Sequence, residues 1–192
     1  MQLSPPKELS SWLKGWPNKL TFLRILSIPL LILLFPLDFS FVRVLNAFIF
    51  LAAALTDFFD GYLARRSGQD SIEGALLDPI ADKMLIVTGL ILLVAADQLY
   101  AWVAILLICR EIAISGIRLL ALEKNIHIEV NYLGKIKTSS QVLTIFCLLM
   151  YNTGFDFPYR TIGMLSLWVT LFLSLYSGYR YFKEFWDKLR IA

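Results

Sequence analysis

Histidine is nearly missing from this chain of 192 residues: the only one, His127, sits in a polar stretch and is followed by Ile128 and Glu129. A mechanism of the phospholipase-D type, which needs His-x-Lys motifs, therefore has no footing. Cysteine is almost as scarce. Cys109 and Cys147 both fall inside apolar stretches and read as small buried hydrophobes; their spacing supports neither a disulfide nor a thiolate metal site. Charge is thin as well. Asp, Glu, Lys and Arg make up 17% of the chain and leave a net charge of +3, so no nucleic-acid partner is expected. No internal repeat, low-complexity tract or long linker divides the sequence, and 1–192 reads as one domain.

What abounds is apolar. Hydrophobic residues are 58% of the chain and the mean hydropathy is +0.67, more than a soluble domain of this size could hide. Apolar runs cover 20–37, 41–64, 77–96, 100–122, 138–153 and 160–182. Crossing the hydrocarbon core takes about 20 residues of helix. Four runs meet that length; the fifth is short, and the first contains Arg24, Pro29 and Pro36. Prolines are tolerated where neighbouring helices satisfy the freed carbonyls. The expected fold is an all-α integral membrane protein of six transmembrane helices. No small-residue cleavage pattern follows the first run, which is expected to stay as a membrane helix. Ahead of it, Leu9, Trp12, Leu13 and Trp16 share one helical face within 5–16. The N-terminal segment 1–19 is therefore expected to lie in the membrane interface as a short amphipathic helix.

Charge placement gives an orientation. Lys7, Lys14, Lys19 and Arg24 flank the first run; Arg65 and Arg66 separate the second from the third; Lys124, Lys135 and Lys137 separate the fourth from the fifth. Arg180, Lys183, Lys188 and Arg190 follow the sixth, whereas the alternate connections hold Arg43 and Arg160. The positive-inside rule places both termini, and the connection at about 123–137, in the cytoplasm.

Chemistry concentrates between Asp57 and Asp82, in DFFDGYLARRSGQDSIEGALLDPIAD. Asp57 and Asp60 are spaced i, i+3 near the end of the second run; Asp78 and Asp82 are spaced i, i+4 at the start of the third. Both spacings put side chains on one helix face. If the two runs are antiparallel neighbours, four carboxylates converge at one depth near the cytoplasmic surface. Each aspartate costs roughly 2.5–3.5 kcal/mol at the bilayer centre on insertion scales, and clustered like charges repel. Cations resolve the conflict: hard oxygen ligands select Mg²⁺, Mn²⁺ or Ca²⁺ over zinc, and two divalent ions balance four carboxylates. Gly61 and Ala64 lie on the same face, either leaving room for a bulky group or packing helices closely. Arg65 either reaches a phosphate or marks the helix end; Gly74 either eases a turn or admits substrate.

The full spacing reads Asp57-x2-Asp60-Gly61-x2-Ala64-Arg65-x8-Gly74-x3-Asp78-x3-Asp82. It resembles, at every position, the signature of the CDP-alcohol phosphotransferase family. That resemblance implies six membrane helices, a two-metal site of Mg²⁺ or Mn²⁺, usually a homodimer, and displacement of CMP from a CDP-linked lipid or alcohol by a hydroxyl. Three further stretches are similar to the bacterial phosphatidylglycerophosphate synthases of that family: Pro17-Asn18-Lys19-Leu20-Thr21-Phe22-Leu23-Arg24, Arg110-Glu111 with Ser115-Gly116-x-Arg118, and Gly134-Lys135-x-Lys137-Thr138-x2-Gln141. The implied substrates are CDP-diacylglycerol and glycerol 3-phosphate, at the bacterial inner membrane. Implied roles are metal ligation by Asp57, Asp60, Asp78 and Asp82, with Asp82 also as general base. Asn18, Thr21, Asp57, Gly61, Ala64, Arg65 and Gly74 would bind CDP-diacylglycerol, and Arg110, Arg118 and Lys135 the acceptor phosphate. Adjacent helical residues do not face each other, so Glu111 is not expected to partner Arg110.

Two readings from other classes compete. Intramembrane acids and arginines also suit an ion channel or proton-coupled transporter, but these aspartates gather at one end rather than along a path. A purely structural membrane protein leaves the cost of the cluster unexplained. Within the family, serine, inositol phosphate or phosphatidylglycerol are the alternative acceptors.

Overall fold

The computed structural model describes residues 16–37, 39–67, 72–124, 126, 132–151 and 153–191. They form six helices: α1 Trp16–Leu34, α2 Ser40–Ser67, α3 Ile72–Ala95, α4 Ala101–Glu123, α5 Tyr132–Leu149 and α6 Tyr159–Ile191. Each apolar run corresponds to one helix, in order; Cys147 is buried as expected, whereas Cys109 is exposed on α4. Most of the amphipathic helix expected at 5–16, and His127, fall outside the described residues. Several boundaries differ from expectation: α1 and α5 stop at Leu34 and Leu149, short of 37 and 153, and α3 starts at Ile72, so that Gly74 lies within the helix and not in a turn. The fifth helix begins at Tyr132, within what reads as loop, because its first turns carry polar side chains on an inward face. The sixth runs on to Ile191, its polar end supported by Lys188 donating to Glu184 across one turn at 2.8 Å.

Helices α5 and α6 make the most extensive pair; α1 packs on α2 and α3, α2 and α3 both touch α5, and α4 joins α3 to α6. Phe50, Leu85, Leu90, Leu93, Ile145 and Leu148 are fully buried where these surfaces meet. Backbone approach is close at Gly89, where an added Cβ would stand 2.8 Å from Ile145 Cγ2 and 3.0 Å from Phe50. Small residues at such crossings let helices gain dispersion contacts. Helix α3 ends on Asp97, whose φ of 56° is the left-handed cap conformation that Asp tolerates. The turn presents Asp97 and Gln98 at the end of the bundle where α2, α4 and α6 begin.

Polarity is distributed inside out. A ladder of hydroxyls runs between α5 and α6: Thr144 Oγ1 donates to Ser166 Oγ at 2.9 Å, and Thr170 Oγ1 to Ser140 Oγ at 2.8 Å. Thr144, Thr170 and Ser174 are at most 1% exposed, whereas Leu33, Phe41, Leu119 and Phe172 are all more than two-thirds exposed. Water penalises that arrangement; hydrocarbon favours it, since hydroxyls there have only each other to bond. Among the described residues, Tyr159–Arg190 of α6 is the helix long and apolar enough to cross a membrane, and Thr21–Leu34 and Ser40–Thr56 are shorter apolar helices.

Candidate active site

Asp57 and Asp60 lie on the second half of α2, and Asp78 and Asp82 on the first half of α3. Helix α2 spans about 42 Å at 1.5 Å per residue, while the residues 68–71 that follow it reach at most about 18 Å. Helix α3 must therefore start at the end of α2 that carries Asp60, and the two helices pack together. All four aspartates thus share one end of the bundle. The side chains of Asp57, Asp60, Gly61, Ala64, Arg65, Gly74 and Asp78, and of Asn18 on α1, fall outside the described residues.

Asp82 is half-buried and lines a cleft walled by Glu111 of α4 and by Lys137, Thr138 and Gln141 of α5, with Ile86, Leu90 and Ile108 as its floor. Lys137 is 5% exposed and its Nζ donates to Glu111 Oε1. Arg110 Nη1 donates to the same oxygen at 3.1 Å. The expectation that Glu111 would not partner Arg110 is thereby corrected: both long side chains bend toward the shared α4–α5–α6 junction. The rest of the guanidinium is tied to α6, Nε donating to the Ser174 carbonyl at 2.9 Å and Nη2 to Ser177 Oγ at 2.8 Å. Gly178 makes the approach possible, since a Cβ there would stand 3.1 Å from Arg110 Nε.

Of the other residues singled out from sequence, Thr21 is buried on α1, and Arg118 and Lys135 are exposed on α4 and α5. The latter two stand near the α4 C-terminus and α5 N-terminus, at the aspartate end. Arg24, fully buried, donates from Nε to the Ala53 carbonyl of α2 at 3.3 Å. Lys137, Glu111 and Gln141, which belong to the synthase-like stretches but were not among the expected ligand or substrate contacts, also line the site. The signal was present in Gly134, Lys137, Thr138 and Gln141, whose i, i+3, i+4, i+7 spacing marks one face of a helix.

The cleft suits an oxygen-rich ligand. Gln141 is 2% exposed, and its Nε2 donor has no hydrogen-bond partner; a buried donor of that kind favours an incoming oxygen. The residues expected to hold a cation, Asp57, Asp60, Asp78 and Asp82, are all carboxylates, a set that would fit Mg²⁺ or Mn²⁺ chemistry. The ion-pair network also gives a stability prediction. Glu111→Gln leaves Lys137 and Arg110 buried without their counter-charge and is expected to cost about 3 kcal/mol, read as a lowered melting temperature in detergent. Adding Lys137→Met should recover part of it; an unchanged melting temperature in the single variant would mean that the network holds nothing together.

Similarity to known proteins extends over nearly the whole chain. Residues 15–176 match the family model described as CDP-alcohol phosphatidyltransferase. A protein from Bacillus subtilis (strain 168) named CDP-diacylglycerol–glycerol-3-phosphate 3-phosphatidyltransferase is 37% identical over 188 residues, covering 92% of this chain and 97% of its own. Proteins of the same name from Rickettsia typhi and Wigglesworthia glossinidia brevipalpis are 40% and 41% identical, covering 89% and 90% of this chain and 97% and 96% of theirs. With the aspartates gathered at one end of two packed helices and the family match running through all six, this chain belongs to the CDP-alcohol phosphatidyltransferase family.

Proposed function

We propose that the chain transfers the phosphatidyl group of CDP-diacylglycerol to sn-glycerol 3-phosphate, giving phosphatidylglycerophosphate and CMP. The observation that carries this reading is the four-aspartate pattern on α2 and α3 in a chain similar along its length to proteins named for that transfer. In this reading all six helices cross the bacterial inner membrane, both termini and the aspartate end face the cytoplasm, and the protein works as a homodimer. The N-terminal segment 1–19 lies in the interface.

Two divalent ions, Mg²⁺ or Mn²⁺, held by Asp57, Asp60, Asp78 and Asp82, supply Lewis acidity and positive charge to the diphosphate and the departing CMP when bound. Asn18, Thr21, Gly61, Ala64, Arg65 and Gly74 receive CDP-diacylglycerol, whose acyl chains stay in lipid. Asp82 takes the proton from the 1-hydroxyl of glycerol 3-phosphate as that oxygen bonds to the phosphatidyl phosphorus and the bond to CMP breaks. A carboxylate is a weak base at neutral pH, so alignment of the hydroxyl for in-line attack contributes much of the rate. Gln141 donates from its buried Nε2 to an acceptor oxygen. Arg118 and Lys135, exposed at the cytoplasmic mouth, capture the phosphate dianion, and Arg110 adds its charge from behind Glu111.

The test is an acceptor screen with purified protein and CDP-diacylglycerol, comparing glycerol 3-phosphate, serine, inositol phosphate and phosphatidylglycerol. CMP release is expected with glycerol 3-phosphate alone; release with another acceptor in its place would reassign the substrate. Arg118→Ala is expected to raise the KM for glycerol 3-phosphate about tenfold, with the KM for the lipid nearly unchanged, as loss of a charge-assisted bond to one substrate requires. Equal effects on both substrates would assign Arg118 a structural role.

A further inference from the structure

At the end of the bundle opposite the aspartates, a cavity of about 430 Å³ opens among the end of α1, the start of α2, the cap of α3 and the α5–α6 connection. That volume falls in the range of small-ligand sites. Its polar lining is Arg43, Asn46, Asp97, Gln98, Tyr151 and Arg160, and Phe35, Pro36, Leu148 and Leu149 supply apolar wall. Asn46 is 3% exposed, and neither its Oδ1 nor the buried Oε1 of Gln98 has a hydrogen-bond partner. Each such buried acceptor carries a desolvation cost of about 1–3 kcal/mol until something donates to it.

The lining specifies a ligand. Arg160 and Arg43 bring guanidinium donors, which suit an anion. Arg160 lies with its Cζ 5.3 Å from the centre of the Tyr151 ring and donates from Nη1 to Tyr151 Oη at 3.4 Å; a guanidinium has five N–H donors, so others remain for phosphate oxygens. Two orphaned acceptors and the Asp97 carboxylate call for the opposite, a positively charged group bearing N–H bonds. One molecule satisfies both halves if it joins a phosphate to a primary ammonium. The apolar walls add a third requirement, a greasy continuation beyond the phosphate.

We infer that this cavity binds the head group of a phospholipid carrying a phosphodiester and a primary ammonium, a phosphatidylethanolamine, at the membrane face opposite the reaction. The inference rests on the six-span reading proposed above and is independent of the catalytic assignment. The phosphate meets Arg43 and Arg160, the ammonium meets Asp97, Asn46 Oδ1 and Gln98 Oε1, and the glyceryl and first acyl carbons lie on Phe35 and Leu149. A choline head group has no N–H to donate and leaves both amide oxygens unsatisfied. A glycerol head group can donate but offers no charge to Asp97.

The test is native mass spectrometry of the full chain, released from nanodiscs containing phosphatidylethanolamine, phosphatidylcholine and phosphatidylglycerol in equal amounts. Retention of phosphatidylethanolamine is expected to exceed that of phosphatidylcholine about tenfold, as one or two buried charge-assisted bonds would give. Arg160→Gln, on an exposed side chain, and Asn46→Leu should each erase most of that preference while CMP release at the other end stays unchanged. Soluble glycerophosphoethanolamine should fail to compete. Equal retention of the three lipids, a preference untouched by Arg160→Gln, or competition by the soluble compound would overturn the inference, as would catalytically active protein that retains no lipid. Failure of the chain to float with vesicles would instead remove the six-span reading on which it rests.

Discussion

Asp82→Asn is expected to lower kcat by 10²–10⁴-fold, the usual contribution of a positioned general base, while nucleotide binding is largely retained. The substitution preserves shape and one oxygen, so Ile86, Leu90 and Ile108 keep their packing around position 82. What it removes is the ability to accept a proton from the attacking hydroxyl. Asp57, Asp60 and Asp78 remain to hold cations. The KM for CDP-diacylglycerol should therefore move far less than kcat, which separates a group acting in the transition state from one acting in ground-state binding. Purified Asp82→Asn protein with full turnover would reject the assignment, and parallel losses in kcat and lipid affinity would make Asp82 chiefly a ligand.

Stripping divalent ions should have an effect at least as large. Four carboxylates at one end of two packed helices repel one another, and bound cations relieve this without the protonation that would otherwise follow. EDTA is expected to reduce CMP release below detection and Mg²⁺ or Mn²⁺ to restore it. The same titration has a readout apart from activity. Ligands that bind only the folded protein stabilise it by RT ln(1 + [L]/Kd), about 2.7 kcal/mol at a hundredfold excess over Kd. The melting temperature of the chelated protein should thus rise on adding Mg²⁺, and do so less in Asp78→Asn. A rate indifferent to thorough chelation would remove the cations from the reaction.

The helices were legible where hydropathy and burial agree, and illegible where they part. The apolar runs marked all six helices because each carries large exposed apolar side chains, such as Leu33, Phe41, Ile91, Leu106, Leu143 and Phe172. The start of α5 was lost because Lys135 and Lys137 read as loop, whereas Lys137 turns inward to Glu111, and a hydropathy scale cannot see a helix that buries a charge. The aspartates were legible because their spacing matches helical geometry on each side of a short connection. The Lys137–Glu111 pair was not, since 26 residues separate its members and only the docking of α5 on the α3–α4 unit joins them. Neighbour rules misled at Arg110, since they describe where side chains start, not where long ones can reach. The cavity at the far end, assembled from five stretches of chain, leaves no local mark at all.

The length of α6 has a consequence of its own. Its 33 residues reach about 50 Å, whereas the hydrocarbon layer is about 30 Å thick. Its first turn lies at the cavity end, so its last turns, which carry Lys183, Lys188 and Arg190, stand at the aspartate end. Phe182 stacks on Trp186, and the Arg190 guanidinium sits 5.7 Å from the Trp186 ring centre, stiffening that stretch.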